Sequence, residues 1–240
     1  MVSNKFIAII PARAGSKEIK KKNIVKVCGH PIVSYSIEAA KKSKFIKSVY
    51  VSTDGKDIAR VSKKYGARVI LRPKKLASDT AQIEPTILHA INYIEKNYNE
   101  EVHNIVLLQP TSLLRNIHDI DNAIKKFLKE KADSLFSFVN LHTLLWRKKK
   151  SKVFPIIYNP FKRKNRDIMP QTLIENGSIY ITKKKIYKKL KNRVGGKITG
   201  YPMDHFSVFQ VDSKNDLKFI SSLMHSQIKK IYKIVTPKKK

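Results

Sequence analysis

An α/β fold built on a Rossmann-like, doubly wound and mainly parallel sheet is what this sequence predicts, on three observations. Hydrophobic runs of four to six residues, rich in Ile and Val, recur along the chain, and longer stretches with helical periodicity separate them. The chain has 240 residues, 42% of them hydrophobic, enough to bury a sheet covered by helices on both faces. That length suits one domain over residues 1–240.

The first strand is expected over 6–10. Gly29, His30 and Pro31 open a helix through about Lys42, with Pro31 suited to the first helical position and Ile32, Tyr35, Ile37 and Ala40 as its apolar positions. A strand follows over 49–52. A helix begins at Asp54 or Gly55 and runs to about Tyr65, Gly66 ends it, and 67–71 reads as a short strand. Residues 79–97 read as a long helix, with Ile83, Ile87, Ala90, Ile91 and Ile94 at core spacing. A doubly buried strand (104–109), a helix (117–131) and a strand (134–139) follow.

Periodicity then disappears from 148 to 171, where Pro155, Pro160 and Pro170 punctuate a basic segment expected to be an arm or long functional loop. Regular structure resumes as a strand at 178–181, a short basic helix to about Leu190 and a strand at 197–201. A final helix begins near Ser213, capped by that hydroxyl or by the Asp212 carboxylate. Residues 236–240, with three terminal lysines, read as a disordered tail.

With 50 Lys+Arg against 18 Asp+Glu the formal charge is +32, which by itself suggests a polyanionic partner. The lysines, however, spread along the whole chain between apolar periodic positions, as on solvated helix faces. Apart from clusters at 148–150, 183–185 and 238–240, there is neither an RNP aromatic block nor a Cys/His finger spacing. Specific nucleic-acid binding is therefore the disfavoured alternative. The lone Cys28 forms no internal disulfide, and no run approaches the roughly 18 apolar residues of a bilayer span. A cytoplasmic protein without membrane insertion is expected.

Chemistry concentrates where the first strand ends. Ala12, Ala14 and Gly15 permit close backbone approach, so N–H groups of the loop can face an anion. From Lys17 to Lys22 there are four Lys and one Glu, a local sum of +3. A loop of this kind at the crevice of an open α/β sheet is suited to phosphate. It lacks the Gly-Lys-Ser/Thr ending of a Walker A loop and is not the Gly-x-Gly-x-x-Gly fingerprint either.

Ile10-Pro-Ala-Arg-Ala-Gly-Ser-Lys17, followed by Lys22-Asn23-Ile24 and Gly29-x-Pro31, resembles the opening of the acylneuraminate cytidylyltransferases, which make CMP-activated sialic acids and related nonulosonic acids. Further blocks match in the same order along nearly the whole chain. They are Val51-Ser-Thr-Asp54, Gly66-Ala67, Arg72-Pro73 with Leu76-Ala-Ser-Asp-Thr80, Gln109-Pro-Thr-Ser112 with Arg115, Arg166 before Met169-Pro170, and Asn176-Gly-Ser-Ile-Tyr180. Related enzymes that activate eight-carbon octulosonic acids share the fold, and Lys22-Asn23 favours the nonulosonic branch over them.

The resemblance implies a sheet of the nucleotide-diphospho-sugar transferase type with a protruding dimerisation arm, and transfer of CMP from CTP to a 2-keto sugar acid. It implies that Arg13 and Lys22 hold the triphosphate and that Ala12, Ala14, Gly15, Ser16 and Lys17 form a backbone cradle. Asn23 and Arg72 would contact cytosine, with Gln109, Arg166 and Tyr180 on the acceptor sugar. A homodimer completing its site through the arm is implied as well. The family's last block often reads Asp-x-Asp, a carboxylate pair for Mg²⁺ or Mn²⁺; here it reads Gln210-Val211-Asp212, leaving Asp212 as the anionic ligand and Gln210 as a neutral one, directly or through water. Asp216 is disfavoured as a substitute. Catalytic assignments thus fall on Arg13, Lys22 and Asp212. His30, His89, His103, His118, His142 and His205 show no pairing pattern that would name a general base.

Overall fold

The computed structural model describes residues 6–141, 143–165, 168–169, 171–226 and 228–238. From the N-terminus, β1 (Phe6–Pro11) is followed by the two-residue pair β2 (Lys26–Val27) and β3 (His30–Pro31), then by α1 (Ile32–Lys42) and β4 (Ile46–Thr53). The middle of the chain forms α2 (Lys56–Lys64), β5 (Arg68–Leu71), α3 (Ile83–Asn97), β6 (Asn104–Leu108), α4 (Asp119–Lys129) and β7 (Ser134–Leu141). A hairpin of β8 (Trp146–Lys149) and β9 (Lys152–Pro155) precedes β10 (Thr172–Lys183), α5 (Lys184–Leu190), β11 (Ile198–Pro202), α6 (Lys214–His225) and α7 (Ile228–Ile231).

Seven strands form one sheet in the order β11-β7-β10-β6-β1-β4-β5. The pairings of β1 with β4 and β6, β4 with β5, and β11 with β7 are parallel, whereas β10 runs against both β6 and β7. The chain winds outward from β1 through β4 to β5, then crosses back to lay β6 on the other side of β1. That reversal opens a crevice beyond the C-terminal ends of β1 and β6.

Both faces of the central strands are buried, so their apolar residues divide by the two-residue period of a strand. Phe6, Ala8 and Ile10 of β1 join Val106 and Leu108 of β6 in a core under α1, α2 and α4, with Ile37, Ile58, Ile124 and Phe127. Ile7, Ile9, Ile105 and Leu107 face the opposite way, against Ile87, Ile91 and Ile94 of α3 and Tyr187 of α5. A third cluster packs α6 against the first loop through Ile19, Val27, Leu113, Ile220 and Met224. No helix among the described residues is long and apolar enough to cross a membrane.

Several boundaries differ from expectation. The long helix begins at Ile83 rather than Asp79. A start at Asp79 would have placed Pro85 beyond the first turn, where it lacks the N–H the helix needs, so 74–82 instead forms a strap with a short 3₁₀ turn. The expected strand at 178–181 is the end of a twelve-residue strand, β10, which continues through a register shift between Glu175 and Tyr180; Gly177, at φ +65°, supplies the bend. Within 148–171 the structure contains most of the β8–β9 hairpin, whose turn passes through Lys150 at φ 54°. Its strands are largely exposed, so no apolar pattern marked them. Just before the expected tail the Val235 N–H donates to the Arg115 carbonyl; within it Pro237 is buried, and 239–240 lie outside the described residues.

Candidate functional site

The crevice beyond β1 and β6 encloses about 300 Å³, and its walls include Arg13, Lys22, Asn23, Arg72, Gln109 and Asp212. These six side chains come from segments far apart in sequence, and the reversal of strand order brings them together. The strap 74–82 forms another wall, through Leu76, Ser78, Asp79 and Gln82. None of the described histidines lines this crevice.

The loop after β1 is fastened over the end of β4. The Ala12 N–H donates to the Ser52 carbonyl and the Ala14 N–H to Asp54 Oδ1, each at 2.9 Å, so these two amides are engaged by the protein itself. Its chain neighbours aside, none of the described residues has an atom within 4 Å of where a Cβ on Gly15 would stand, so that part of the loop is open to a ligand. Asn23 is buried and donates from Nδ2 to the Arg13 carbonyl at 2.8 Å, fixing the loop where Arg13 turns into the crevice. Arg13 donates to Asp79 Oδ1 at 2.6 Å, and the Lys17 ammonium stands 3.0 Å from Asp79 Oδ2. Those contacts hold the Asp79 carboxyl below the usual carboxylate range, Lys17 contributing most.

Arg72 is buried rather than in a surface ion pair. Its guanidinium lies 3.9 Å from Asp54 Oδ1 and donates to Thr86 Oγ1 at 3.3 Å, while Nε has no partner among the described residues. Burial pulls its pKa down against the opposing attraction of Asp54. A buried guanidinium held by Asp54 and Thr86 is a fixed positive group on the crevice wall.

At the other end, Lys22 Nζ stands 3.0 Å from Asp212 Oδ1; the lysine side chain is 18% exposed and the aspartate 70%. Gln210 faces inward: Thr111 donates to its Oε1 at 3.0 Å, and its Nε2 donates to the Asn176 carbonyl at 2.6 Å. Ser213 and Asp216 form a reciprocal capping box on α6, and Asp216 also accepts from the Asp212 N–H at 3.1 Å. Ser213 is thus the cap and Asp216 is occupied by the helix end. A Cβ on Gly177 would stand 2.8 Å from Gln210 Nε2 and 3.3 Å from Gln109 Oε1, so a glycine here allows the two glutamines to converge.

Tyr180 is buried beside this crevice rather than on its wall. Its hydroxyl donates to Glu175, and the Arg193 guanidinium sits 5.2 Å from its ring centroid. Arg193 Nε in turn donates to Glu84 Oε1 at 2.7 Å. Glu84, Glu175 and Arg193 line a second recess of about 650 Å³, which shares Gln82 with the first. Sequence reasoning missed Asp79, Glu84 and Arg193; a carboxylate at 79 within a matched block, opposite a loop of +3, was the available signal for the first. Arg166 lies outside the described residues.

Arg115 is wholly structural. It donates to Ser36 Oγ at 2.9 Å and to the carbonyls of Gln109 at 2.7 Å and Ser178 at 2.9 Å, tying the end of β6 to the middle of β10. Its burial pushes its pKa down to about 9. Lysines 183–185, read as a basic cluster, each stand near a carboxylate: Lys183 and Lys185 at 3.0 and 2.9 Å from Asp133, Lys184 at 2.6 Å from Glu95.

The model of a family described as cytidylyltransferase matches residues 7–232. Over 227 residues the chain is 33% identical to the post-translational flagellin modification protein B of Campylobacter coli, covering 92% of this chain and 95% of that one. It is 29% identical over 238 residues to the N-acylneuraminate cytidylyltransferase of Escherichia coli, covering 93% of this chain but 53% of the relative, about half its length. In structure it is similar to CMP:2-keto-3-deoxy-manno-octonic acid synthetase complexed with CTP, at a TM-score of 0.68 and 13% identity over 92% of this chain and 98% of that one, a likeness of fold.

Proposed function

This chain belongs to the cytidylyltransferase family, and from that premise we propose that it transfers CMP from CTP to the anomeric hydroxyl of a nonulosonic acid, releasing pyrophosphate. The observation that carries the reading is the convergence of Arg13, Lys22, Asn23, Arg72, Gln109 and Asp212 on one crevice at the reversal of strand order. The anomeric oxygen bonds to the α-phosphorus as the bond to the leaving β-phosphate oxygen breaks, and the acceptor's proton passes to solvent. Negative charge on the phosphate oxygens is the quantity to stabilise, and catalysis is positioning plus electrostatics.

Arg13 offers a planar fork and Lys22 a point charge to the triphosphate, with Gly15, Ser16 and Lys17 as the open part of the cradle. Arg72, fixed on the crevice wall by Asp54 and Thr86, and the side-chain carbonyl oxygen of Asn23 serve the cytosine end. Gln109 orients the acceptor from the end of β6, Arg166 pairs with its carboxylate, and Tyr180 with Glu175 supports the neighbouring recess.

For Mg²⁺ or Mn²⁺, the exposed Asp212 carboxylate is a suitable hard oxygen ligand, and Gln210, already bonded to Thr111 and Asn176, acts by holding Asp212's segment. When bound, the ion supplies charge neutralisation on the triphosphate. Lys22 keeps Asp212 turned toward the crevice.

We assign the active form as a cytoplasmic homodimer. Support for the dimer comes from the exposed apolar side chains of the β8–β9 hairpin and the segment after it, Trp146, Val153, Phe154, Ile156 and Phe161 among them.

The test is pyrophosphate release from purified protein with CTP, Mg²⁺ and N-acetylneuraminic, legionaminic, pseudaminic or an octulosonic acid, with UTP and ATP as controls. Release that needs both CTP and one nonulosonic acid is expected. Release with the octulosonic acid alone, or equally with UTP, would replace the reading by its nearest relative.

A further inference from the structure

The two cations at the mouth of the phosphate loop already hold an anion. Asp79 presents one carboxylate oxygen to Arg13 at 2.6 Å and the other to Lys17 at 3.0 Å, a two-oxygen, two-cation arrangement of the kind a phosphate group would make with the same side chains. Asp79 is on the strap 74–82, between a 3₁₀ turn and α3, and the strap also lines the crevice through Leu76, Ser78 and Gln82.

We infer that Asp79 is an internal counter-ion occupying the phosphate subsite, which the triphosphate of CTP displaces on binding, so that Asp79 sets nucleotide affinity by competition. The inference rests on the proposed nucleotide site and adds to it a residue that opposes binding. Three features support displacement over permanent structure. Asp79 is half exposed, Lys17 is 79% exposed and Arg13 is 36% exposed at the side chain, so exchanging partners needs no opening of the core. Exposed ion pairs contribute little individually, so a polyanion with several charges outcompetes a single carboxylate. Arg13's position does not depend on Asp79 alone, because its carbonyl is fixed by the buried Asn23.

Loss of Asp79's charge also raises the net positive charge of the protein, which would attract any polyanion a little. Asp57 provides the matched comparison. It pairs with Lys21 of the same loop at 2.7 Å, yet it is not among the crevice residues.

The experiment is titration calorimetry of the full chain, its Asp79→Asn variant and its Asp57→Asn variant with CTP, inorganic tripolyphosphate and cytidine. From two exposed pairs, Asp79→Asn is expected to bind tripolyphosphate and CTP about two- to thirtyfold more tightly than Asp57→Asn does. Cytidine, which carries no phosphate, is expected to bind all three proteins alike. Tripolyphosphate affinity for Asp79→Asn equal to or weaker than for Asp57→Asn would overturn the inference and make Asp79 a support for Arg13. A change in cytidine affinity would overturn it too, by showing that the strap had collapsed. The tripolyphosphate arm judges the counter-ion and the CTP arm judges the nucleotide site: tighter tripolyphosphate binding without any CTP binding would sustain the first and defeat the second. Binding of neither to any of the three proteins would defeat both.

Discussion

The carboxylate of Asp212 stands 3.0 Å from the ammonium of Lys22, linking the loop that follows β1 to the residue just before the cap of α6. The pair closes the crevice at the end where the proposed metal and triphosphate meet. Asp212→Asn keeps the side chain's volume and leaves the Ser213–Asp216 capping box intact, so the fold is expected to persist. Turnover is expected to fall by about a hundredfold or more, the scale of removing one preorganised electrostatic group. Steady-state pyrophosphate release across a Mg²⁺ series tests this, with activity lost on chelation and restored by added metal. Unchanged turnover in the variant would remove Asp212 from the catalytic assignments.

Gln210 invites replacement by aspartate to rebuild a carboxylate pair. The structure argues for the opposite outcome. A carboxylate cannot donate to the Asn176 carbonyl, and a side chain one methylene shorter leaves Thr111 without its acceptor. Gln210→Asp is expected to destabilise the protein by about 1–2 kcal/mol without raising turnover. Urea denaturation beside the pyrophosphate assay decides it, and a more active variant of equal stability would refute the bracing role.

At Gly177 backbone and packing act together. With φ at +65° an L-residue costs about 1–2 kcal/mol, and the added methyl would press on Gln210 and Gln109. Gly177→Ala should therefore lower thermal stability and raise the Michaelis constant for the acceptor acid, because Gln109 is displaced, while that for CTP holds. Equal effects on both substrates would separate Gln109 from acceptor recognition.

Sequence patterns exposed some of this molecule and hid the rest for identifiable reasons. β1 and β6 were legible because both faces are buried and their apolar residues are contiguous. β8 and β9 were hidden because largely exposed strands have no hydrophobic alternation to read. The start of α3 at Ile83 is hidden in the sequence because Pro85, which sets it, lies inside a run of helical residues. In the site, ordered motif blocks pointed to the six crevice residues. The pairing of Arg13 with Asp79, 66 positions away, has no local signature and emerges only once the strap lies across the loop.

Asp119 is buried at the start of α4, where it accepts from the Asn116 N–H at 2.6 Å and the Tyr201 hydroxyl at 3.2 Å. Burial pushes its pKa up from 3.8 to about 6, outweighing those hydrogen bonds and nearby Arg115; Asp204 adds to the rise. The folded state therefore holds this proton after the unfolded chain has released it. Between about pH 4 and 6 the unfolded state binds fewer protons here, so Asp119's contribution falls as pH rises, by roughly 3 kcal/mol in all. Asp119→Asn removes that dependence. Denaturation of both proteins from pH 4 to 7 should show the variant gaining on the wild type through this window, and parallel curves would mean that Asp119 ionises at its ordinary value.

The β8–β9 hairpin that leads into the arm carries the one tryptophan of the sequence, Trp146, 47% exposed and packed edge-on against Tyr158 at 5.9 Å. Val153, Phe154, Ile156 and Phe161 lie exposed nearby in sequence, Phe161 at 94%. Apolar exposure this concentrated in one stretch of sequence is costly in water and suits a segment covered by another copy of the chain. Phe161→Asp places a charge at the most exposed of these apolar side chains without touching the core, so it should shift sedimentation from dimer to monomer at micromolar concentration and leave thermal stability of the monomer nearly unchanged. Trp146 emission gives an independent reading, moving to longer wavelength as the wild type is diluted through its dissociation. A wild type that sediments as a monomer throughout, with emission constant on dilution, would remove the arm from the assembly and leave Arg166 to act within its own subunit.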